Sequence, residues 1–509
     1  HRQEDSAPLP SVRIIPAARS SCIVIGDPPT LVQFWRVGSS GSAILIDTRQ
    51  WGQADSDFGT GAVERCQRIA AWLSSVLSGL KSRNLGGLRL TTGSQAISSW
   101  RYAALTHPVH VHTFGKPLRL ERESYRGGRS ECFRLGHIRG PVYQVDIRSA
   151  YAECCLNGLF PTILDDDYDF PRYPDIKTIP LLPMSIAIAT VQTSSPRYPV
   201  MAELALKGPP RAVRPGEQEK TKGIARAIIY PVGTFETVLV GPELTLAHLC
   251  NDLRSIRYMA TYKLAPALSK FASQWLEWLA DEREKGNRQT CNWIKSILVG
   301  ICGKFGESGK NWLDLEPDPQ HGDYADWAET DGIGRAIRHR IFAGNHQAQV
   351  TYPESANSVP AIASWITSMC RVRLQTFIDI AGWHNVYYCD TDSLIVSEAG
   401  YWLLRDSGAI KENAPGWLRL QNAAHSCNIY GYRHYRLGNK VSCAGAPAGS
   451  EPIPGYDGEY WHTPTAQQQM IAGSAPTLKS RKLTVRRRRP YLHGNVRQDG
   501  SVEPWFIGG

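Results

Sequence analysis

The chain has 509 residues, with 57 Lys and Arg against 47 Asp and Glu, a formal net charge of +10. A composition of 42% hydrophobic and 20% charged residues, without a low-complexity tract, excludes a disordered or fibrous chain, and the length predicts roughly two to four subdomains. No apolar run reaches about 18 residues, so no membrane partner is expected, and the basic balance suits a polyanion such as nucleic acid.

In chain order, SAILIDTRQW (42–51) has the pattern of a strand and ERCQRIAAWLSSVLSGL (64–80) that of an amphipathic helix. The segment PVYQVDIRSAYAECC (141–155) starts strand-like and continues helix-like. The Pro-rich stretch 207–223 carries few large apolar residues and is expected to be an exposed loop. Leu264, Leu268, Phe271, Trp275 and Leu279 recur at helical spacing. A turn at Gly286-Asn287 then predicts an antiparallel partner helix in RQTCNWIKSILVGICGKFG. After a polar segment (308–335) comes another helix (358–382), and NVYYCDTDSLIVSEAG predicts strand, tight turn, strand. The last ~80 residues are rich in Gly, Pro and Arg and include the run Arg486–Arg489. The 12 Cys form no C-x-x-C pair and no zinc spacing, which predicts free thiols in a reducing compartment. The chain opens on His1 without a signal peptide and without Met, so upstream trimming is expected.

The segment VYYCDTDSLIV (386–396) places Asp390 and Asp392 two apart between apolar, β-rich runs. A hairpin tip presents both together, and like charges held there repel unless a cation is bound. Hard oxygen ligands suit Mg²⁺ or Mn²⁺; the bland alternative is an ordinary Asp-containing turn. Asp146 ends an apolar strand, where it can meet such a tip, and Ser149 and Tyr151 follow. Two metals about 3.5–4 Å apart between such carboxylates stabilise the attacking and leaving oxygens of an in-line phosphoryl displacement. Lys295 lies on a helix whose other face is Ile294, Ile297, Leu298 and Ile301, and either cradles a triphosphate or is a solvated surface residue.

These segments, in this order, resemble motifs A, B and C of family B DNA polymerases. Motif A, normally D-x-x-S-x-Y-P, is Asp146-Ile-Arg-Ser149-Ala-Tyr151-Ala152, without the proline. Motif C, Y-x-D-T-D-S, is complete from Tyr388 to Ser393. Motif B, normally K-x-x-x-N-S-x-Y-G, keeps Lys295 and Gly303, followed by Lys304-Phe305-Gly306, but carries Val299, Gly300 and Cys302 in place of Asn, Ser and Tyr. ESYRGGRSE (123–131) resembles the Y-x-G-G segment, and with IIYPVGTFETVLVGPEL (228–244) it points to the protein-primed phage and plasmid branch. The resemblance covers about residues 85 to 450.

The resemblance implies an α/β fold with the right-hand polymerase layout: an exonuclease-like N-terminal remnant (1–141), palm (142–263), fingers (264–307), palm again (308–430) and thumb (431–509). Insertions are implied in both palm parts, within 164–260 and 308–345. It implies Asp146 and Asp392 as ligands of two Mg²⁺ or Mn²⁺ ions, with Asp390 a lesser ligand. One ion would lower the pKa of a primer 3′-hydroxyl, and the other would hold the triphosphate. Lys295 and Arg283, with Arg288 as competitor, would contact incoming phosphates, beside Ser149. Tyr151 would exclude a ribose 2′-hydroxyl. Tyr125, Gly127 and Gly128 would approach template phosphates. Lys304 would contact DNA, and Arg433 and Tyr435, where the family has K-x-Y, would grip the primer terminus. Expected partners are template-primer DNA, dNTPs and a priming terminal protein, in a cytoplasm that is the host's if the gene is carried by a phage or plasmid. No Y-x-x-x-D, N-x-x-F-D or D-x-E pattern precedes residue 140, so proofreading is expected to be absent. Two rivals stand beside this reading: a catalytically silent, nucleic-acid-binding polymerase-like subunit, and a reverse transcriptase.

Overall fold

The computed structural model describes residues 31–35, 43–47, 62–443, 451–452, 459–462, 482–485 and 491–508, apart from breaks at 90, 171–180, 205–207, 218–223, 308–309, 319, 322–323, 331–335, 343–344, 352–353 and 356. The Arg486–Arg489 run lies outside the described residues. The chain forms two compact units: a first of residues 1–105, 273–355 and 446–485, and a second of residues 106–272, 356–445 and 486–509.

Aromatic burial holds the helices of the first unit together. The amphipathic pattern at 64–80 becomes the helix Ala62–Ser82. The helix Ser269–Glu284, which starts in the second unit, turns at Gly286 (φ +68°) into Arg288–Phe305. Asn287 caps the second helix by accepting from the Thr290 amide. Trp275, Trp278 and Trp293 are fully buried, with ring centroids 5.4–5.6 Å apart. Trp72 packs edge-on against Trp293 and donates from Nε1 to Thr290 Oγ1 at 3.1 Å. Buried indoles remove large apolar areas from water while keeping a donor to satisfy. Gly300 faces the helix Thr92–Ser99 so closely that a Cβ there would lie 3.2 Å from the Gly93 amide nitrogen. The glycine at this motif-B position therefore has a packing reason.

The polar segment after this hairpin is not a bare loop. It forms a four-stranded antiparallel sheet in the order Lys310–Asp314, Asn345–Thr351, Ala336–Phe342, Tyr324–Thr330. Alternation in AIRHRIF and NHQAQVT supplies the two-residue period that strands need.

The second unit is built on two larger sheets. One has five strands in the order Phe506–Ile507, Val232–Val240, Ser185–Thr193, Leu253–Ala265, Phe160–Asp169. Its core includes Ala187, Val191, Phe235, Leu239, Ile256 and Met259. The other has seven antiparallel strands: Lys440–Cys443, His434–Leu437, Leu418–Gly431, Gly136–Ile147, Ser393–Ser397, Val386–Asp390 and Ser130–Cys132. Ile138, Val142, Ile395, Cys427, Ile429 and Leu437 form its core. The helix Pro360–Ala381 is buried over most of its surface, polar Ser364, Thr367, Ser368, Arg371 and Gln375 included. Nine cysteines, Cys132, Cys154, Cys155, Cys250, Cys291, Cys302, Cys370, Cys389 and Cys427, are free thiols, with the Cys154 and Cys370 Sγ atoms 3.6 Å apart. No helix among the described residues is long and apolar enough to cross a membrane.

Candidate active site

The hairpin carrying the two aspartates closes with Asp390 opposite Ser393, so Thr391 and Asp392 form its tip. Thr391 has φ +60°, a region that β-branched residues avoid and that tends to persist only where surroundings enforce it. Here the enforcement is visible. The Thr391 amide donates to the Arg129 carbonyl at 2.6 Å, the Asp392 amide to the Asp390 carbonyl at 2.7 Å, and Ser393 Oγ to the same carbonyl at 3.2 Å. Gly128 presses on the tip from outside; a Cβ at that position would come within 2.6 Å of Thr391 Cγ2. The second glycine of the Tyr125–Gly128 segment thus serves close approach to the hairpin.

Asp146 enters the same place along the sheet. It lies opposite Ser393 on one side and Arg419 on the other. The next amide, of Ile147, donates to the Asp392 carbonyl at 2.7 Å. Asp392 feels the convergence: burial first, and then the charges of Asp146 and Asp390, push its carboxyl up to about 6 from an ordinary 3.8. Asp146 is paired with Arg419 and Asp390 with Arg433, the latter at 3.1 Å. Among the described residues no ion pair reaches the Asp392 carboxylate.

Three neighbouring aspartates, one of them without an ion pair among the described residues, are the donor type that a hard divalent cation takes. The oxygens of Asp146 and Asp390 face guanidinium groups, and among the described residues no set of three or more His, Cys, Asp or Glu is already spaced to hold a metal ion. The residue types fit the cation; the side chains of Asp146 and Asp390 would have to exchange partners to bind it.

Other residues singled out by the sequence lie in the same unit. Ser149 has φ +52° and starts the helix Ala150–Asn157, its carbonyl accepting from the Glu153 amide at 2.8 Å. Tyr151 is half-buried on the first turn of that helix. Arg433 also has positive φ, and its amide donates to the Tyr388 hydroxyl at 3.0 Å. Tyr435 is buried, and its hydroxyl accepts from Gln144 Nε2 at 3.1 Å. In the first unit, Lys295 and Arg283 are exposed on their helices, as is Arg288. Lys304 pairs with Glu307 at 2.5 Å.

Sequence reasoning missed the arginines that hold this unit in shape. Arg126, fully buried, donates to the Pro199 carbonyl at 2.5 Å and to Thr237 Oγ1 at 3.0 Å. Arg371 donates to the carbonyls of Arg126 and Gly127, both at 2.9 Å, and pairs with Glu243 at 2.8 Å. Arg129 pairs with Glu131 at 2.6 Å and donates to the Pro196 carbonyl at 2.7 Å. The available signal was the close spacing of Arg126 and Arg129 in YRGGR. Arg419 and Lys440 were also missed; Lys440 donates to Gln144 at 2.9 Å and Gln421 at 2.8 Å.

No protein-family model and no curated protein matches the chain. Among solved structures, phi29 DNA polymerase complexed with single-stranded DNA is similar, at 14% identity and a TM-score of 0.50, over 83% of this chain and 77% of that one. The same figures hold for phi29 DNA polymerase complexed with primer-template DNA and incoming nucleotide substrates, a ternary complex. The match to its post-translocation binary complex with primer-template DNA has a TM-score of 0.46 and spans 64% of that chain, less than two thirds of its length. At this identity the likeness is one of fold: a mixed α/β chain that resembles a DNA polymerase in architecture.

Proposed function

We propose that the chain is a DNA-directed DNA polymerase of the family B type, which extends a primer 3′-hydroxyl with dNTPs, lacks proofreading and starts from a terminal protein. The observation that carries this reading is the convergence of Asp146, Asp390 and Asp392 at one end of the seven-stranded sheet, with Asp392 pushed up to about 6 and in no ion pair among the described residues. The fold likeness and the ordered motifs support it. In this reading the second unit supplies the palm, and the helix pair Ser269–Glu284 and Arg288–Phe305 supplies the fingers.

Two Mg²⁺ or Mn²⁺ ions held by Asp146 and Asp392, with Asp390 assisting, would supply charge neutralisation for the attacking and leaving oxygens. The chain's own groups do the rest. Asp392 gives up its proton more readily once a positive charge enters the cluster. Tyr151 occupies the space of a 2′-hydroxyl, and Lys295 and Arg283 receive the phosphates. Arg433 and Tyr435 support the primer end, while Tyr125 and Gly127 line the template side.

Primer extension with Mg²⁺ or Mn²⁺ on DNA and RNA templates is the test. DNA-templated addition, lost in Asp392→Asn with DNA binding retained, is expected. Efficient use of RNA would point to a reverse transcriptase instead. A second reading, a silent DNA-binding body, is favoured by one observation, the two arginines seated on Asp146 and Asp390. DNA binding without any addition would establish it.

A further inference from the structure

Arg419 belongs to none of the motifs, yet it controls the most constrained carboxylate of the cluster. The strand Leu418–Gly431 runs antiparallel to Gly136–Ile147, with Arg419 directly opposite Asp146. Its Nε donates to Oδ1 at 3.0 Å and its Nη2 to Oδ2 at 3.0 Å, the two-pronged geometry that a planar guanidinium makes with a carboxylate. The pairing is built into the sheet. Leu418 opposite Ile147 is fully buried, as is Ile147, so a one-residue slip would turn both core side chains outward. The two side chains differ in exposure: that of Asp146 is 13% exposed and that of Arg419 is 41%. The guanidinium is therefore the more open of the two, with room to leave, while the carboxylate is the more enclosed. In the same cluster Arg433 gives Asp390 only a single ion pair, and Asp392 has none among the described residues.

We infer that Arg419 is a positioning residue that covers both oxygens of Asp146 in the free protein and competes there with a divalent cation. This rests on the polymerase reading. The guanidinium holds both oxygens and fixes the plane of the Asp146 carboxyl group. It also makes the free protein a poor cation binder, because entry of a cation costs two charge-assisted hydrogen bonds. When a nucleotide arrives, its phosphates offer the displaced guanidinium an acceptor of the same geometry, so cation and nucleotide enter together. Arg419 thereby couples cation binding to the presence of substrate phosphate.

The test is Mn²⁺ titration of the full chain, without DNA, followed by the loss of the free-ion electron paramagnetic resonance signal. Arg419→Ala is expected to bind Mn²⁺ about tenfold more tightly than the parent, since a partly exposed bidentate pair is removed. Arg419→Lys, which keeps the charge but loses the fork, should fall between. Adding Asp146→Asn to Arg419→Ala should cancel the gain, and adding dATP should raise the parent's affinity more than that of Arg419→Ala. If Arg419→Ala binds Mn²⁺ no more tightly while Asp392→Asn still weakens the parent's binding, the competition is overturned and the polymerase reading stands. If no protein in the series shows binding sensitive to Asp392→Asn, the cation site itself fails and this inference fails with it. Circular dichroism on each variant keeps a folding defect apart from these outcomes, and Arg419→Lys carries the test if Arg419→Ala does not fold.

Discussion

Asp392→Asn should make the cation-free protein more stable while ending its proposed chemistry. The Asp392 carboxyl is held at about 6 in the folded chain against an ordinary 3.8, chiefly by burial and then by Asp146 and Asp390. The gap is roughly two pH units at about 1.4 kcal/mol each, so the ionised side chain costs the fold about 3 kcal/mol. The sign follows from the raised value. Between about 4 and 6 the folded state binds more protons than the unfolded one, so stability falls as pH rises through that window and stays low above it. Asn carries no charge at any pH. In buffer with chelator at pH 8 the variant should melt a few degrees above the parent, and the difference should shrink as pH drops from 6 to 4. Added Mn²⁺ should raise the parent's melting temperature and leave the variant nearly unmoved. Thermal melts across pH 4–8, with and without Mn²⁺, read this directly. A variant that melts below the parent at pH 8, or a difference that does not change with pH, would refute the crowding of charge at Asp392.

Three further outcomes follow from named contacts. Gly128→Ala puts a Cβ 2.6 Å from Thr391 Cγ2, so the hairpin tip must shift; we expect about 1–3 kcal/mol lost in urea melts and at least a tenfold fall in single-turnover addition, and a silent substitution would show that the tip tolerates displacement. Tyr151→Ala should admit ribonucleotides more readily, measured as the ratio of dNTP to rNTP incorporation; an unchanged ratio would leave Tyr151 a packing residue. Purified protein should not degrade a mismatched primer 3′ end with Mg²⁺, and degradation abolished by Asp47→Asn would place an exonuclease in the N-terminal residues.

The legible part of the site was the part written in short-range pattern. A strand ending in Asp146, and two apolar runs flanking Asp390 and Asp392, are local statements about period and turn, and the sheet joins them as neighbours. Gly128 was equally legible as a place of close approach, although its neighbour is Thr391, whereas a Cβ at Gly127 would meet nothing within 4 Å. Reading failed where long-range register decides. Tyr435 stands two residues from Arg433 in the motif, and only the sheet shows that it is buried with its hydroxyl on Gln144. The segment after Arg288–Phe305 was dominated by polar residues, and its four strands were masked because the two-residue alternation is carried by Arg, His and Gln as much as by apolar groups. The buried Arg126, Arg129 and Arg371 run against the expectation that arginine stays in water, and only their carbonyl and carboxylate partners account for them.

Arg419 marks the limit most sharply. It sits 273 residues from Asp146, and nothing in the local WLRLQ pattern distinguishes it from a solvated charge. Aspartates announce themselves because gathering negative charge is costly wherever it occurs, so a motif that does so points to a compensating cation. The compensating group can come from any strand that the sheet brings alongside, and its identity is therefore set by register rather than by spacing. In this chain the alignment of Leu418 with Ile147 seats a guanidinium on Asp146, while among the described residues no ion pair reaches Asp392, where burial and the neighbouring aspartates outweigh the Arg419 charge. On the proposed two-metal reading, that asymmetry makes Asp392 the carboxylate open to a cation and Asp146 the one that must first be released.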